Sequence, residues 1–192
     1  MQVLIGSAQR AVGNETVCGD SFIVVPIEQG LLLCLADGLG HGPAAHEASD
    51  LACRYAQEHA DMPLEAMMRG IDGALRGTRG AAVSILTLAA QRARFVGVGN
   101  VELRAHSHAR IAPPTQPGIV GQGVRKLRVW EYAIAYGDLF ALLSDGISTR
   151  FNLEELAHLA PLALAEEILA KHQKSHDDAC CVVARLLATA GT

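Results

Sequence analysis

Aromatic side chains are scarce in this chain: one Trp, three Tyr and four Phe stand among 192 residues. A core built on stacked rings is excluded, so Ala, Val, Leu and Gly must carry the apolar half of the composition through close backbone packing. No apolar run approaches the ~20 residues that span a bilayer. The start, MQVLIGSAQR, lacks the basic residues and long apolar stretch of a secretion signal. The expectation is a cytoplasmic chain without a membrane partner. Basic residues are outnumbered, 16 Lys and Arg against 20 Asp and Glu for a net charge of −4. No basic stripe runs along the sequence, which argues against a nucleic-acid partner. Cysteines are few, and their number is odd: Cys18, Cys34, Cys53, Cys180 and Cys181, with no CxxC pair. They read as small buried apolar groups, not as a disulfide framework or a zinc knuckle.

What is present is an orderly run of strand-like and helix-like segments. Apolar runs at 2–9, 22–27 and 31–36 have strand character, the last two joined through Glu28, Gln29 and Gly30 as in a hairpin. From Pro43 to His59, Ala44, Ala45, Ala48, Leu51, Ala52, Tyr55 and Ala56 recur at helical spacing, while Glu47, Asp50, Arg54 and Glu58 point away. A second helix is predicted over Pro63–Leu75, with Pro63 in its first turn. Strand character returns at 81–90, 93–99, 101–106, 124–134 and 138–144. Helices are then predicted over 153–158 and 161–172, and a buried strand over 179–187. Strands joined by tight turns favour antiparallel sheets, and helices arriving in pairs suit layers over a two-sheet sandwich. The reading is an α+β fold in one domain, 1–192, without repeats or linkers.

Acidic residues fall where the apolar strands end. Asp37 follows LLLCLA and opens ADGLGHGPAA (36–45); Asp145 follows FALLS; Asp177 and Asp178 precede ACCVVAR; Asp20 lies in CGDSF. Facing carboxylates repel by about 4 kcal/mol at ~4 Å and an effective dielectric near 20. A hard divalent cation such as Mg²⁺ or Mn²⁺ removes that conflict by binding carboxylate, carbonyl and water oxygens. The competing reading is that each Asp-Gly is a turn dipeptide. Asp37-Gly38 resists it, because it joins a strand to a helix through Gly38, Gly40 and Gly42. Asp72-Gly73 falls inside a helical stretch and is assigned no role.

These residues, in this order, resemble the PPM family of metal-dependent Ser/Thr phosphatases, in its bacterial SpoIIE-like branch. The likeness runs nearly end to end through CGDSF, ADGLGHGPAA, GTRGAAVSILTL (77–88), VGVGNVELR (96–104), GDLFALLSDGI (137–147) and DDACCVVAR (177–185). It implies an αββα sandwich, two mainly antiparallel sheets flanked by helix pairs. It also implies two Mn²⁺ or Mg²⁺ ions bridged by Asp37, with the Gly38 carbonyl on one and Asp145 and Asp177 completing the second. Asp20 would hold water beside them, and a water between the ions would attack phosphorus. No sensor region precedes the motifs, which is similar to stand-alone stressosome phosphatases of the branch. The implied partner is a phosphorylated STAS-domain regulatory protein, or else an anti-sigma-factor antagonist.

The chain departs from the pattern at the phosphate. Eukaryotic relatives carry an Arg shortly before the first acidic motif; here Arg10 is ten residues ahead of Asp20, and Arg79 in GTRG is the other candidate. Asp138 reads as a turn residue and Asp178 as a hydrogen-bond acceptor behind the site. His41 reads as a proton donor to the leaving oxygen or as a solvated loop residue; His46, His106, His108, His172 and His176 are given no catalytic role. Two further readings stay open: a binding protein of the same fold without turnover, and a phosphohydrolase of small molecules. Trp130 belongs to an edge strand or to the core.

Overall fold

The protein is described by a computed structural model over residues 2–28 and 30–188. Its elements are β1 (Gln2–Arg10), β2 (Asp20–Ile27), β3 (Gly30–Gly38), α1 (Pro43–Glu58), α2 (Leu64–Ala74), β4 (Ala81–Ala89), β5 (Arg92–Val98), β6 (Glu102–His106), β7 (Trp130–Ala133), β8 (Leu139–Leu143), α3 (Leu153–Leu156), α4 (Pro161–His172) and β9 (Ala179–Leu187). Two antiparallel sheets form, one in the order β1-β9-β8-β6 and the other β2-β3-β4-β5-β7. The β2–β3 connection passes through Gln29, which lies outside the described residues. No described helix is long and apolar enough to cross a membrane.

Three apolar layers explain why the central strands read as unbroken apolar runs. Leu33 and Leu35 of β3, Leu86 of β4, Phe140 of β8 and Val182 of β9 fill the space between the sheets. Their neighbours one residue on, Leu32, Cys34 and Ile85, face α1 and α2. On the other sheet, Ala141, Cys181 and Val183 face Leu164 and Ile168 of α4. A strand covered on both faces gains nothing from alternation, so both parities are apolar. The helix nearest the site uses small residues. Ala45, Ala48, Ala52 and Ala56 form the buried stripe of α1, which lets its backbone lie close on β2 and β3.

The αββα arrangement agrees with the sequence reading, and three details correct it. The strand expected over 124–134 is only Trp130–Ala133. The edge of β5 that residues 127–129 would need is taken by Gln116, whose amide and carbonyl bond to Gly97 and Gly99. Trp130 lies on an edge strand, half-buried against the middle layer, with the Arg128 guanidinium 3.5 Å over its ring. The helix expected over 153–158 is a single turn capped by the Asn152 side chain, and Ala160 is extended ahead of Pro161. Asp72, assigned no role, is a buried anchor: its Oδ1 accepts hydrogen bonds from the amides of Gly121 (2.8 Å) and Gly123 (3.1 Å).

Asp72→Ala would leave those amides without their acceptor, so it is expected to cost about 1–3 kcal/mol. Asp72→Asn keeps an acceptor and is expected to cost far less. Urea unfolding of both variants checks the ranking; equal midpoints would contradict the anchor.

Candidate metal centre

Cross-strand register builds the first half of the site. Antiparallel pairing of β2 with β3 sets Asp20 directly opposite Asp37. Phe22 and Val24 of β2, like Leu33 and Leu35 of β3, face the layer between the sheets. By the two-residue period Asp20 and Asp37 continue those rows on the inner face. Opposed side chains there have Cβ atoms ~4.5–5.5 Å apart, so the pairing holds two like charges together.

The other sheet supplies the rest. Asp145 follows β8, and Asp177 and Asp178 lead into its neighbour β9. Asp37, Asp145 and Asp177 line one cavity of about 290 Å³ with Leu39, Gly40, His41, Ala82 and Asn100. The recurrent Asp-Gly pair reflects close packing. A side chain at Gly38 would overlap the Ala45 carbonyl in the first turn of α1, and one at Gly146 would overlap the Asp178 carbonyl. Gly40 and Gly42, with φ of 87° and 72°, make the left-handed turns that bring the chain from β3 into α1.

Crowding shows in the acidities. Asp20 is 1% exposed, and neither carboxylate oxygen has a hydrogen-bond partner among the described residues. Burial raises its carboxyl to about 7, and the charges of Asp178, Asp145 and Asp177 add to the rise. Burial, then the charges of Asp20, Asp145 and Asp177, push Asp37 up to about 9. Asp177 is raised by burial and by Asp145.

Neighbouring polar groups hold the rim of this cluster. Asn100 Nδ2 donates to Asp145 Oδ2 at 2.5 Å, and Lys174 Nζ donates to the Asp145 carbonyl at 2.5 Å. The Val12 amide donates to Asp178 Oδ1 at 2.9 Å, and the Asp178 amide to Asp177 Oδ1 at 3.0 Å. Sequence reasoning missed Asn100 and Lys174. Asn100 had a signal, a polar residue just past a buried strand in VGVGNVELR; Lys174 had none.

Other candidates separate clearly. Arg10 Nη2 reaches the Lys174 carbonyl at 3.4 Å and is absent from the cavity wall. Arg79 Nη1 donates to the Leu39 carbonyl at 3.4 Å, beside Gly40 at the cavity rim. His41 is exposed on the wall, its Nδ1 2.8 Å from Glu15 Oε1. His46 Nδ1 lies 3.0 Å from the Cys18 carbonyl. His106 and His176 are exposed, His108 sits 3.6 Å from Asp138, and His172 stacks on Phe151. Asp138 is a turn residue, accepting from the Ala135 amide at 2.8 Å.

An αββα sandwich with carboxylates from both sheets converging at one end of the cleft defines the class. The chain belongs to the PPM-type phosphatases. Within that class it is similar to RsbX. The phosphoserine phosphatase RsbX of Bacillus subtilis (strain 168) is 28% identical over 160 residues, 81% of this chain and 78% of that one. A chain solved in work on the bacterial stressosome, as a modular system adapted to control secondary messenger signalling, is 30% identical. It matches 96% of this chain and 100% of its own with a TM-score of 0.92. RsbX in complex with magnesium shares the fold at a TM-score of 0.87 and 23% identity, over 96% of this chain and 95% of that one. No family model matches the chain.

Both Asp20 and Asp37 carry native pKa values above the ordinary 3.8, so the folded state retains protons that the unfolded chain has released. Their contribution to stability is therefore full below about pH 4 and is lost as pH rises toward 7 for Asp20 and 9 for Asp37. Metal-free protein is expected to melt higher near about pH 5 than near about pH 8, and Mn²⁺ to raise the melting temperature more at the higher pH, where fewer protons compete. Melts followed by circular dichroism in EDTA and in Mn²⁺ test both. An Mn²⁺ shift as large in acid as in base would contradict the carboxylate cluster.

Proposed function

We propose that the chain hydrolyses phosphoserine or phosphothreonine on a STAS-domain regulatory protein, with Asp37, Gly38, Asp145 and Asp177 holding two Mn²⁺ or Mg²⁺ ions. The observation that carries the reading is the crowding of four carboxylates from two sheets around one cleft, with both Asp20 oxygens buried and unbonded among the described residues. Like charges brought together out of water call for a cation. The donors are all hard oxygens, the chemistry that Mg²⁺ and Mn²⁺ prefer.

Bound ions of this kind supply an acidified water and a Lewis acid for the phosphoryl oxygens. The chain's own groups set the geometry. Asn100 and Lys174 fix the Asp145 side chain and carbonyl. Asp178, held by the Val12 amide, orients Asp177 through its own N–H. Asp20 offers two free acceptor oxygens that can take hydrogen bonds from water and aim it into the cleft. Arg79 is the better cation for the phosphate, since its guanidinium lies beside Gly40 and Leu39 of the cavity wall, whereas Arg10 touches no residue of that wall. No thiol is suited to attack: all five cysteines are free and buried, and burial raises Cys18 to about 11 and Cys181 to about 12.

The chain is read as one catalytic domain because β3 of one sheet and the ends of β8 and β9 of the other share the site. The likeness to RsbX and the stressosome chain supports a regulatory phosphoprotein as substrate. Five buried free thiols fit the reducing cytoplasm.

Hydrolysis of p-nitrophenyl phosphate is expected to stop in EDTA and return with Mn²⁺. Asp37→Asn, Asp145→Asn and Asp177→Asn are each expected to lose at least ~10²-fold in kcat while remaining folded. Replacing Cys18 and Cys181 together by Ala is expected to leave most activity. Turnover that survives excess chelator would remove the mechanism. For the substrate, kcat/KM on a folded phosphorylated STAS protein is expected to exceed that on a peptide copied from the same site, because remote contacts position the phosphoester. Equal values would remove the STAS assignment and leave the chemistry standing.

A further inference from the structure

Two segments, distant in sequence, carry exposed cations on backbone that is held together beside α2. Residues 124–128 carry Arg125, Lys126 and Arg128 and no Asp or Glu, in a chain whose net charge is −4. Across from them, the turn after α2 carries Arg76 and Arg79. The segments are joined at several points. Asp72 holds the amides of Gly121 and Gly123, Arg69 Nη1 reaches the Val124 carbonyl at 3.5 Å, and Ala81 pairs with Val120. Thr78 Oγ1 accepts from the Gly80 amide and donates to the Leu75 carbonyl, fixing the turn that bears Arg76 and Arg79. Arg76, Arg125 and Lys126 are exposed and make no ion pair among the described residues. The acidic residues of these segments are accounted for: Glu65 pairs with Arg69, and Asp72 is buried on the loop amides. At its inner end the strip reaches the cavity rim through Arg79.

Resting on the phosphatase reading, we propose that this basic rim docks an acidic segment of the protein substrate beside its phosphorylated residue. Exposed lysines and arginines left unpaired on a held backbone form a surface with a defined charge and no internal use for it. A net negative enzyme with a carboxylate-lined cleft otherwise repels a dianionic phosphoester and the acidic residues around it. The rim reverses the local field where substrate must approach, which steers encounter and lowers KM. The turn at 76–79 and the loop at 124–128 therefore choose among phosphoproteins, while the cleft performs the same chemistry on each.

The test compares two phosphoserine peptides of one length, one flanked by Asp and Glu and the other by Asn and Gln. The wild-type protein with Mn²⁺ is expected to favour the acidic peptide by about tenfold in kcat/KM, the scale of two or three exposed charge pairs, mostly through KM. Added salt is expected to erase the preference. The triple variant Arg76→Glu, Arg125→Glu, Lys126→Glu is expected to lose or invert it, with p-nitrophenyl phosphate turnover and the Mn²⁺ shift in melting temperature unchanged. Equal kcat/KM on the two peptides, alongside normal p-nitrophenyl phosphate turnover, overturns the docking surface and leaves the phosphatase standing. Absent p-nitrophenyl phosphate turnover overturns the phosphatase instead. Fluorescence anisotropy of the unphosphorylated acidic peptide then still reads the rim: binding weakened by the triple variant supports it, and no binding overturns it. Tighter binding of a single-stranded oligonucleotide than of the acidic peptide also overturns it.

Discussion

Like charges facing one another between two packed sheets set the terms for the rest of this molecule. The register of β2 against β3 leaves Asp20 and Asp37 opposite each other on the inner face, and the ends of β8 and β9 add Asp145 and Asp177 from the other side. A carboxylate pair of that kind disfavours a fold by several kcal/mol, a large share of the ~5–15 kcal/mol that holds a domain together. Apolar burial in three layers supplies the opposing force. It fixes the strands so firmly that relief comes through protonation or a cation and not through movement of the backbone. The raised pKa values of Asp20, Asp37 and Asp177 are the protonated answer to that constraint.

The same constraint decides which residues surround the site. Glycine follows Asp37 and Asp145 because α1 and the segment before β9 come too close for a side chain. The alanine stripe of α1 belongs to this arrangement, since bulkier residues would lift the helix off β3 and open the cleft. Scarcity of aromatics in the composition and close approach at the acidic cleft are thus one property seen at two scales.

Much of this was legible in the sequence, and the exceptions have physical reasons. Asp20, Asp37, Asp145 and Asp177 announced themselves because a charge ending a buried strand needs an explanation. Both sheets were visible because apolar runs of strand length stood between turn residues. Asp72 was misread: an Asp-Gly pair in a helix looks like a surface dipeptide, and its partners, Gly121 and Gly123, are about fifty residues away. Residues 124–129 looked like strand by composition, but Gln116 had already taken the β5 edge. The basic rim was invisible as a stripe because it is assembled from two segments. Long-range competition for backbone partners leaves no local trace.

The anchoring of residues 119–124 is directed at backbone atoms. Asp72 grips two amides, Arg69 a carbonyl, and Ala81 exchanges backbone bonds with Val120. None of these contacts reads the side chains that follow. The loop behaves as a fixed frame for its outward side chains, so substitutions at Arg125 and Lys126 alter what the surface attracts without disturbing how it is mounted. Recognition and chemistry are therefore inherited separately in this chain. A descendant could be retargeted to a new phosphoprotein by a few exposed changes while the cleft between the sheets stays as it is.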